Sequence, residues 1–193
     1  MFERLGFSFA GFREQAEDQP AEWSWFADPE HAITYVEDLV LRWRFLRLEG
    51  PNKESLAVDL GAEFRPFSRQ ALLDMWDSAW RKNELPTDPE DDLPPLTSTW
   101  SRSEQDLELL VGAAHALGLG AGEAFDPDIA VRLAYGMRVP SELVRLATLR
   151  GIGLTQWQEF REPLLVVARN DPSPHLRQHA ESLAVAMPVL QSG

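Results

Sequence analysis

Apolar residues recur at helical spacing along most of the chain. The first apolar stripe follows Asp28-Pro29-Glu30, where Asp can cap a helix and Pro fits the first helical position. Its members are spaced by four, three, four and three residues: Ala32, Val36, Leu39, Trp43 and Leu46. This pattern predicts an α-helix that ends before Gly50-Pro51, because Gly and Pro both terminate helices.

Further helices are predicted wherever a capping residue is followed by an apolar stripe. Their predicted starts are Ser68, residues 101–104, Asp126-Pro127, Pro140-Ser141, Thr155 and Ser173-Pro174. Two of these helices are expected to end at glycines, one in the sequence GLGAG at residues 118–122 and one at Gly151. Pro163 is expected to kink or break the helix that begins near Thr155.

One long segment does not fit a helix. Residues 83–99, NELPTDPEDDLPPLTST, contain five acidic residues, four prolines and no basic residue. This composition predicts a loop or linker over residues 83–100. It would separate a Trp-rich, mainly helical part at residues 1–82 from a helical part at residues 101–193, unless the whole chain forms one compact domain.

Two short segments of the N-terminal part leave room for β structure. Residues 6–12, GFSFAGF, predict a short strand or an irregular segment, and residues 56–61 fit either a strand or a short helix. The predicted fold class is therefore mostly all-α, with minor β structure limited to the N-terminal part. The architecture is expected to be an irregular helical bundle or a short α-solenoid-like array of helix pairs.

The C-terminal part contains a partial internal repeat. Asp126-Pro127 is followed at offsets five and six by Val131-Arg132. Asp171-Pro172 is followed at the same offsets by Leu176-Arg177. An Asp-Pro turn followed by an apolar residue and Arg resembles the turn and second helix of HEAT-type repeats, and DPDIAVRLAYGMRVPSELVRLA also resembles leucine-rich variant repeats. The resemblance covers about residues 104–187 and implies a surface that binds other macromolecules.

Charge and cysteine content exclude several classes of function. The chain has 193 residues with 31 acidic and 18 basic side chains, which gives a formal net charge of −13. Nucleic acids and anionic membranes are therefore disfavoured partners, because both require a basic footprint. The lack of cysteine excludes disulfides, thiolate catalysis and Fe–S clusters. No secretory signal or membrane-spanning apolar run is visible, so we expect a cytoplasmic protein.

Tryptophan is the most informative residue type for a binding surface. The chain has seven, and Trp commonly anchors protein interfaces as well as filling cores. Trp23, Trp25 and Trp100 lie in predicted loops and are the best candidates for surface anchors. Together with Arg132 and Arg177 of the repeat motif, they form the predicted interaction surface.

Other residue patterns fall short of a catalytic or cofactor site. His175 and His179 have the spacing of two metal ligands on a helix, but no acidic residue of that helix shares their face, so no metal site is predicted. Residues 143–160 loosely match a helix-turn-helix whose second helix is poor in donors for DNA. Residues 57–64, AVDLGAEF, lack the further glycines of a nucleotide-binding loop. We therefore predict no catalytic residue and no cofactor.

The combined observations predict a non-catalytic, acidic helical protein that mediates protein–protein interaction as an adaptor, regulator or assembly factor. One alternative is an acidic inhibitor or nucleic-acid mimic that binds a basic surface of its partner. Binding of that kind would fall steeply with salt. A second alternative is an enzyme with a site between helices, because such a site leaves no motif in the sequence.

Overall fold

The computed structural model describes residues 2, 6–16, 20–26, 28–38, 43–51, 60, 67–86, 95–97 and 102–187. The chain divides into two compact units, Met1–Pro66 and Phe67–Gly193. The first unit contains a β-sheet and the second contains the main helices. This division falls before the boundary predicted at residue 82, so the helix that follows Ser68 belongs to the second unit. The middle of the predicted linker, and Trp100, lie outside the described residues.

The sheet of the first unit is a four-stranded antiparallel meander in the order β1-β2-β3-β4. Its strands are β1 (Ser8–Arg13), β2 (Ala21–Phe26), β3 (Ala32–Asp38) and β4 (Trp43–Glu49). Each strand pairs with the next one along the chain. The described part of the chain therefore combines this sheet with six α-helices, and the prediction of a mostly all-α fold is wrong.

The helix predicted after Asp28 is the source of that error. Residues 33–36, Ile-Thr-Tyr-Val, are β-branched or aromatic, and such side chains favour a strand over a helix. Asp28 lies between β2 and β3, where its Oδ1 accepts hydrogen bonds from the backbone N–H of Glu30 at 2.8 Å and of His31 at 3.0 Å. The capping chemistry of the Asp-Pro-Glu motif is therefore present, but it stabilises a turn between two strands.

One face of the sheet carries the core of the first unit. Side chains alternate between the two faces of a strand, and the strand register places Trp25, Ile33 and Leu48 in one line across β2, β3 and β4. Ile33 is fully buried and packs in a cluster with Phe2 and Leu60. Trp25 and Leu48 pack against this cluster. The opposite face is mixed: Glu22 pairs with Arg13 and Arg47 there, whereas Thr34 and Val36 on the same face are buried.

The described residues of the second unit form six α-helices. They are α1 (Arg69–Lys82), α2 (Glu104–Gly120), α3 (Pro127–Gly136), α4 (Glu142–Thr155), α5 (Arg161–Asn170) and α6 (Pro174–Ala186). The predicted starts at Ser68, Asp126-Pro127, Pro140-Ser141 and Ser173-Pro174 are confirmed, since a Ser or Asp side chain caps each of these helices. Ser103 caps α2. No described helix is long and apolar enough to span a bilayer.

Helix α2 lies at the centre of the second unit. Residues 110–118 are buried on every side, and α2 packs against α1, α3 and α4. Its end at Gly120 confirms the prediction that the helix stops within GLGAG. The predicted stop at Gly151 is wrong, because α4 continues to Thr155. Gly151 instead allows close approach: a Cβ atom built on Gly118 would lie 2.3 Å from Gly151 Cα.

The segment around Thr155 also differs from its prediction. Thr155 ends α4 rather than starting a helix, and its Oγ1 accepts a hydrogen bond from Trp157 N at 3.3 Å. A short 3-10 turn, Gln158–Phe160, leads into α5. Pro163 lies in the first turn of α5 and does not break it, because backbone N–H groups there have no partner within the helix.

Candidate binding surface on the β-sheet

Three aromatic side chains lie side by side across the sheet of the first unit. The strand register pairs Phe12 of β1 with Trp23 of β2, and Trp23 with Tyr35 of β3. The ring centroids are 4.8 Å apart for Phe12 and Trp23, and 5.5 Å apart for Trp23 and Tyr35. We term Phe12, Trp23 and Tyr35 the aromatic row.

A β-bulge in β1 places Phe12 in this row. Phe9 pairs with Trp25, whereas Gly11 pairs with Ser24, so Ala10 is an extra residue in the ladder. In a regular strand, residues three apart point to opposite faces, and Phe9 and Phe12 would be on different sides of the sheet. The bulge shifts the register by one residue and brings Phe12 opposite Trp23.

The aromatic row is the exposed continuation of the core face. Trp25 packs against Phe2 in a tilted arrangement with a centroid distance of 4.7 Å, as part of the packed cluster of the first unit. The aromatic row occupies the next positions on the same face of the sheet. Phe12 is 53 % exposed there, and Trp23 and Tyr35 are half-buried. The first unit therefore presents contiguous aromatic surface to solvent, held in register by three paired strands.

An ion pair lies beside one end of the aromatic row. Glu37 lies two residues after Tyr35 on β3, and the strand register places it opposite Arg44 of β4. The Arg44 Nε donates to Glu37 Oε1 at 2.7 Å. Burial raises the pKa of the Tyr35 phenol, and the negative charge of Glu37 raises it further. Tyr35 therefore keeps its proton and remains a hydrogen-bond donor at neutral pH.

The aromatic row also carries available hydrogen-bond donors. Trp80 and Trp157 of the second unit donate their indole N–H to the carbonyl oxygens of Pro86 at 2.8 Å and Gly122 at 3.1 Å. Within the described ranges, by contrast, neither the Trp23 Nε1–H nor the Tyr35 hydroxyl is hydrogen-bonded to another residue. A ligand that stacks on the row can therefore accept hydrogen bonds from both groups.

The structure separates the residues of the predicted interaction surface. Trp23 and Trp25 lie on one face of β2 instead of in a loop, and both are half-buried. Trp25 packs against the cluster of the first unit, whereas Trp23 packs between Phe12 and Tyr35. Trp100 lies outside the described residues. Phe12 and Tyr35 were missed, although the alternation Trp23-Ser24-Trp25 is typical of a strand with one aromatic face.

The two predicted arginines are in the second unit and are engaged there. Arg132 donates from Nε and Nη2 to the two carboxylate oxygens of Asp77, at 2.9 and 2.8 Å, and so ties α3 to α1. The pKa of Arg132 is raised by its hydrogen bonds to Asp77. Arg177 donates to the backbone carbonyl of Asp171 at 2.8 Å. Both side chains therefore stabilise the helical unit, and the likeness to HEAT-type repeats stays a prediction.

A buried ion pair joins α4 to the turn before α6. Arg145 donates from Nε and Nη2 to the carboxylate of Asp171 at 2.8 and 3.2 Å. The Arg145 Nη1 also donates to the carbonyl oxygens of Val139 and Pro140, at 2.9 and 2.7 Å. Both side chains are almost fully buried, and every contact is internal to the second unit. This pair is a structural element of the helical unit.

The second unit also has an apolar cavity of about 300 Å³. Ala134 and Met137 line it from one side, and Pro163 and Val166 of α5 line it from the other. Its polar lining residues are Arg138, Asn170 and Asp171. Asn170 donates to the Val166 carbonyl oxygen at 3.0 Å, and Asp171 is held by Arg145. The aromatic row, with three adjacent rings and two hydrogen-bond donors, is the stronger candidate for a binding surface.

His175 and His179 lie one turn apart on α6. The rings of His175 and His179 are 6.5 Å apart and nearly parallel. Across the described ranges, no group of three or more His, Cys, Asp or Glu side chains could hold a metal ion. Comparison with known proteins finds no family model, no curated sequence and no solved structure that matches the chain.

Proposed function

We propose that this protein is a non-catalytic interaction module that binds another protein through the aromatic row of its β-sheet. The supporting observation is the contiguous aromatic surface formed by the exposed ring of Phe12 and the half-buried rings of Trp23 and Tyr35. Contiguous exposed apolar surface marks interaction sites in soluble proteins, and Trp and Tyr are enriched among the residues that dominate binding energy.

The strand pairing makes this surface largely preformed. The three rings come from adjacent strands and contact one another before any partner binds. Side chains that are already ordered lose little rotamer entropy on association, so more of the burial energy contributes to affinity. Truncation of a central aromatic residue of this kind typically costs about 2 kcal/mol or more, which is roughly a thirtyfold loss of affinity.

The net charge of −13 supports a second candidate, an acidic inhibitor or mimic that covers a basic partner surface. The two candidates differ in their dependence on salt. Contacts between exposed charges are screened at about 0.5 M salt, whereas aromatic burial is not weakened. Salt therefore decides which surface carries the interaction.

The test compares two phenylalanines with the same exposure on opposite faces of the sheet. Phe12 is 53 % exposed in the aromatic row, and Phe26 is 50 % exposed on the other face. Tagged wild type, Phe12→Ala, Trp23→Ala and Phe26→Ala are used to capture partners from a lysate of the native host at low salt and at about 0.5 M salt. Circular dichroism and thermal melting check that each variant is folded.

We expect one stoichiometric protein partner to remain at about 0.5 M salt with wild type and Phe26→Ala. Phe12→Ala and Trp23→Ala should retain at least tenfold less of it. A partner that both row variants keep would contradict the proposal. A partner lost from every variant at high salt would instead favour the acidic mimic.

A further inference from the structure

We infer that the segment bound by the aromatic row is a polyproline II stretch flanked by basic residues. This inference rests on the proposed function and specifies the chemistry of the partner. It depends on three properties of the row: the polarity of its hydrogen-bonding groups, its length across the sheet, and the charge of the unit that carries it.

The row and a proline-rich segment are complementary in hydrogen bonding. Among the described residues, the Trp23 Nε1–H and the Tyr35 hydroxyl of the row have no hydrogen-bond partner, and both groups can donate. Proline has no backbone N–H, and a polyproline II helix has no internal hydrogen bonds, so its carbonyl oxygens are free acceptors. Its pyrrolidine rings provide the apolar faces that stack on aromatic side chains.

The length of the row fits the repeat of this helix. The two steps between centroids, 4.8 and 5.5 Å, place Phe12 and Tyr35 at most about 10 Å apart. A polyproline II helix rises about 3.1 Å per residue with three residues per turn, so its side chains repeat on one face about every 9 Å. Prolines at positions i and i+3 can therefore contact the two outer rings while Trp23 lies between them.

The charge of the first unit favours a cationic segment. Residues 1–66 contain 13 acidic and 7 basic side chains, a net charge of −6. An excess of this sign raises the rate of encounter with positively charged partners and disfavours acidic ones. Basic residues on either side of the prolines would lie outside the row, where the electrostatic field of the acidic unit attracts them.

Aromatic rows also stack on sugar rings, and the Tyr35 hydroxyl could donate to a sugar hydroxyl or accept from one. Arg44 makes both of its 2.7 Å contacts with one oxygen of the Glu37 carboxylate, Oε1. The difference between the two ligands is charge, because a neutral sugar gains nothing from the net charge of −6, whereas a basic peptide is attracted by it. The charge therefore favours the peptide.

The experiment follows indole N–H resonances of the full chain by NMR during titration with synthetic ligands. The main probe is a peptide of eight prolines with an arginine at each end. Its controls are a Gly-Ser peptide with the same arginines, a proline peptide without arginine, and cellohexaose. The Trp23 resonance is assigned by its loss in Trp23→Phe, and Phe12→Ala and Phe26→Ala report on the two faces of the sheet.

We expect a saturable shift of the Trp23 resonance with the arginine-flanked proline peptide. The apparent Kd should rise at least tenfold in Phe12→Ala and stay within about twofold in Phe26→Ala. In Trp23→Phe, where the remaining indole resonances report binding, it should rise about two- to tenfold, because the variant loses one hydrogen bond. The neutral proline peptide should bind several-fold more weakly. If Trp23→Phe does not fold, the comparison of Phe12→Ala with Phe26→Ala still decides the outcome.

Three results would overturn the inference. They are the lack of a saturable shift with the proline peptide, equal binding of the Gly-Ser peptide, and binding of cellohexaose in place of the peptide. Equal affinity for the neutral and the arginine-flanked proline peptides would refute the part of the inference that places basic residues on either side of the prolines. If Phe12→Ala loses a captured protein partner that the proline peptide does not displace, the proposed function stands and this inference fails.

Discussion

Gly118→Ala tests the close approach of helices α2 and α4. A Cβ atom at position 118 would lie 2.3 Å from both Cα and O of Gly151 and 2.4 Å from its carbonyl carbon. Ordinary contacts of a Cβ atom begin near 3.4 Å. Because the obstacle is backbone and not a flexible side chain, α2 and α4 must move apart by roughly 1 Å to admit the methyl group.

The expected magnitude is the difference between two opposing effects. Overpacking a buried contact costs about 1–3 kcal/mol, and a clash with backbone belongs at or above the upper end of that range. Replacing Gly by Ala inside a helix contributes about 1 kcal/mol in the other direction. We therefore expect Gly118→Ala to lower the free energy of unfolding by about 2 kcal/mol, which lowers Tm by several degrees.

Gly122→Ala is the matched control, because a Cβ atom at Gly122 meets nothing within 4 Å. Its free energy of unfolding should stay within about 0.5 kcal/mol of wild type. Urea unfolding followed by circular dichroism at 222 nm measures both variants. If Gly118→Ala is as stable as Gly122→Ala, the helices do not approach as closely as described, and the explanation for the glycine inside α4 is wrong.

Two further predictions concern charged side chains. Hydrogen bonds to a backbone carbonyl and to Asp28 raise the pKa of His31, so its stabilising contribution is complete below pH 6.5, its ordinary value, and is lost as the pH rises through the raised pKa. Urea midpoints from pH 6 to 9 should show this loss in wild type but not in His31→Gln; equal slopes would contradict it. Asp171→Ala leaves Arg145 as an unpaired buried charge and should cost about 3–5 kcal/mol, whereas Asp77→Ala, at a partly exposed pair, should cost about 1 kcal/mol or less. Similar urea midpoints for these two variants would refute the distinction.

Helix starts were predictable because they depend on local chemistry. Ser68, Ser141 and Ser173 each cap a helix with a hydroxyl that accepts from a backbone N–H three residues later. Such contacts need only a few consecutive residues, so the sequence contains all the information that decides them. The same locality explains why Asp28 was recognised as a capping residue, since it accepts the expected backbone hydrogen bonds.

The continuation after Asp28 was not predictable by the same means. The apolar residues at positions 32–48 fit both a helical period and the alternation of strands. Intrinsic strand propensity decides less between the two than pairing with neighbouring strands does. The choice depends on β2 and β4, which supply the partners of β3. Gly151 was misread for a related reason: its close neighbour, Gly118, lies on a different helix.

The candidate site was only partly predictable. Trp23 was identified as an anchor from its residue type, but the row also needs Phe12 and Tyr35 from two other strands. Their alignment depends on strand register and on an extra residue in β1, and neither is visible in a pattern of spacings. Non-local pairing, which turns isolated aromatic residues into a surface, is the information that one sequence lacks.

The bulge in β1 also makes the aromatic row tolerant of a deletion at one position. Ala10 is the single extra residue between the pairs Phe9–Trp25 and Gly11–Ser24. Removing it would leave a regular ladder in which Gly11 still lies opposite Ser24 and Phe12 still lies opposite Trp23, on the same face of the sheet as Phe9. The sheet and the aromatic row would both persist. Loss of one codon at this position can therefore remove the bulge during divergence without loss of the binding surface.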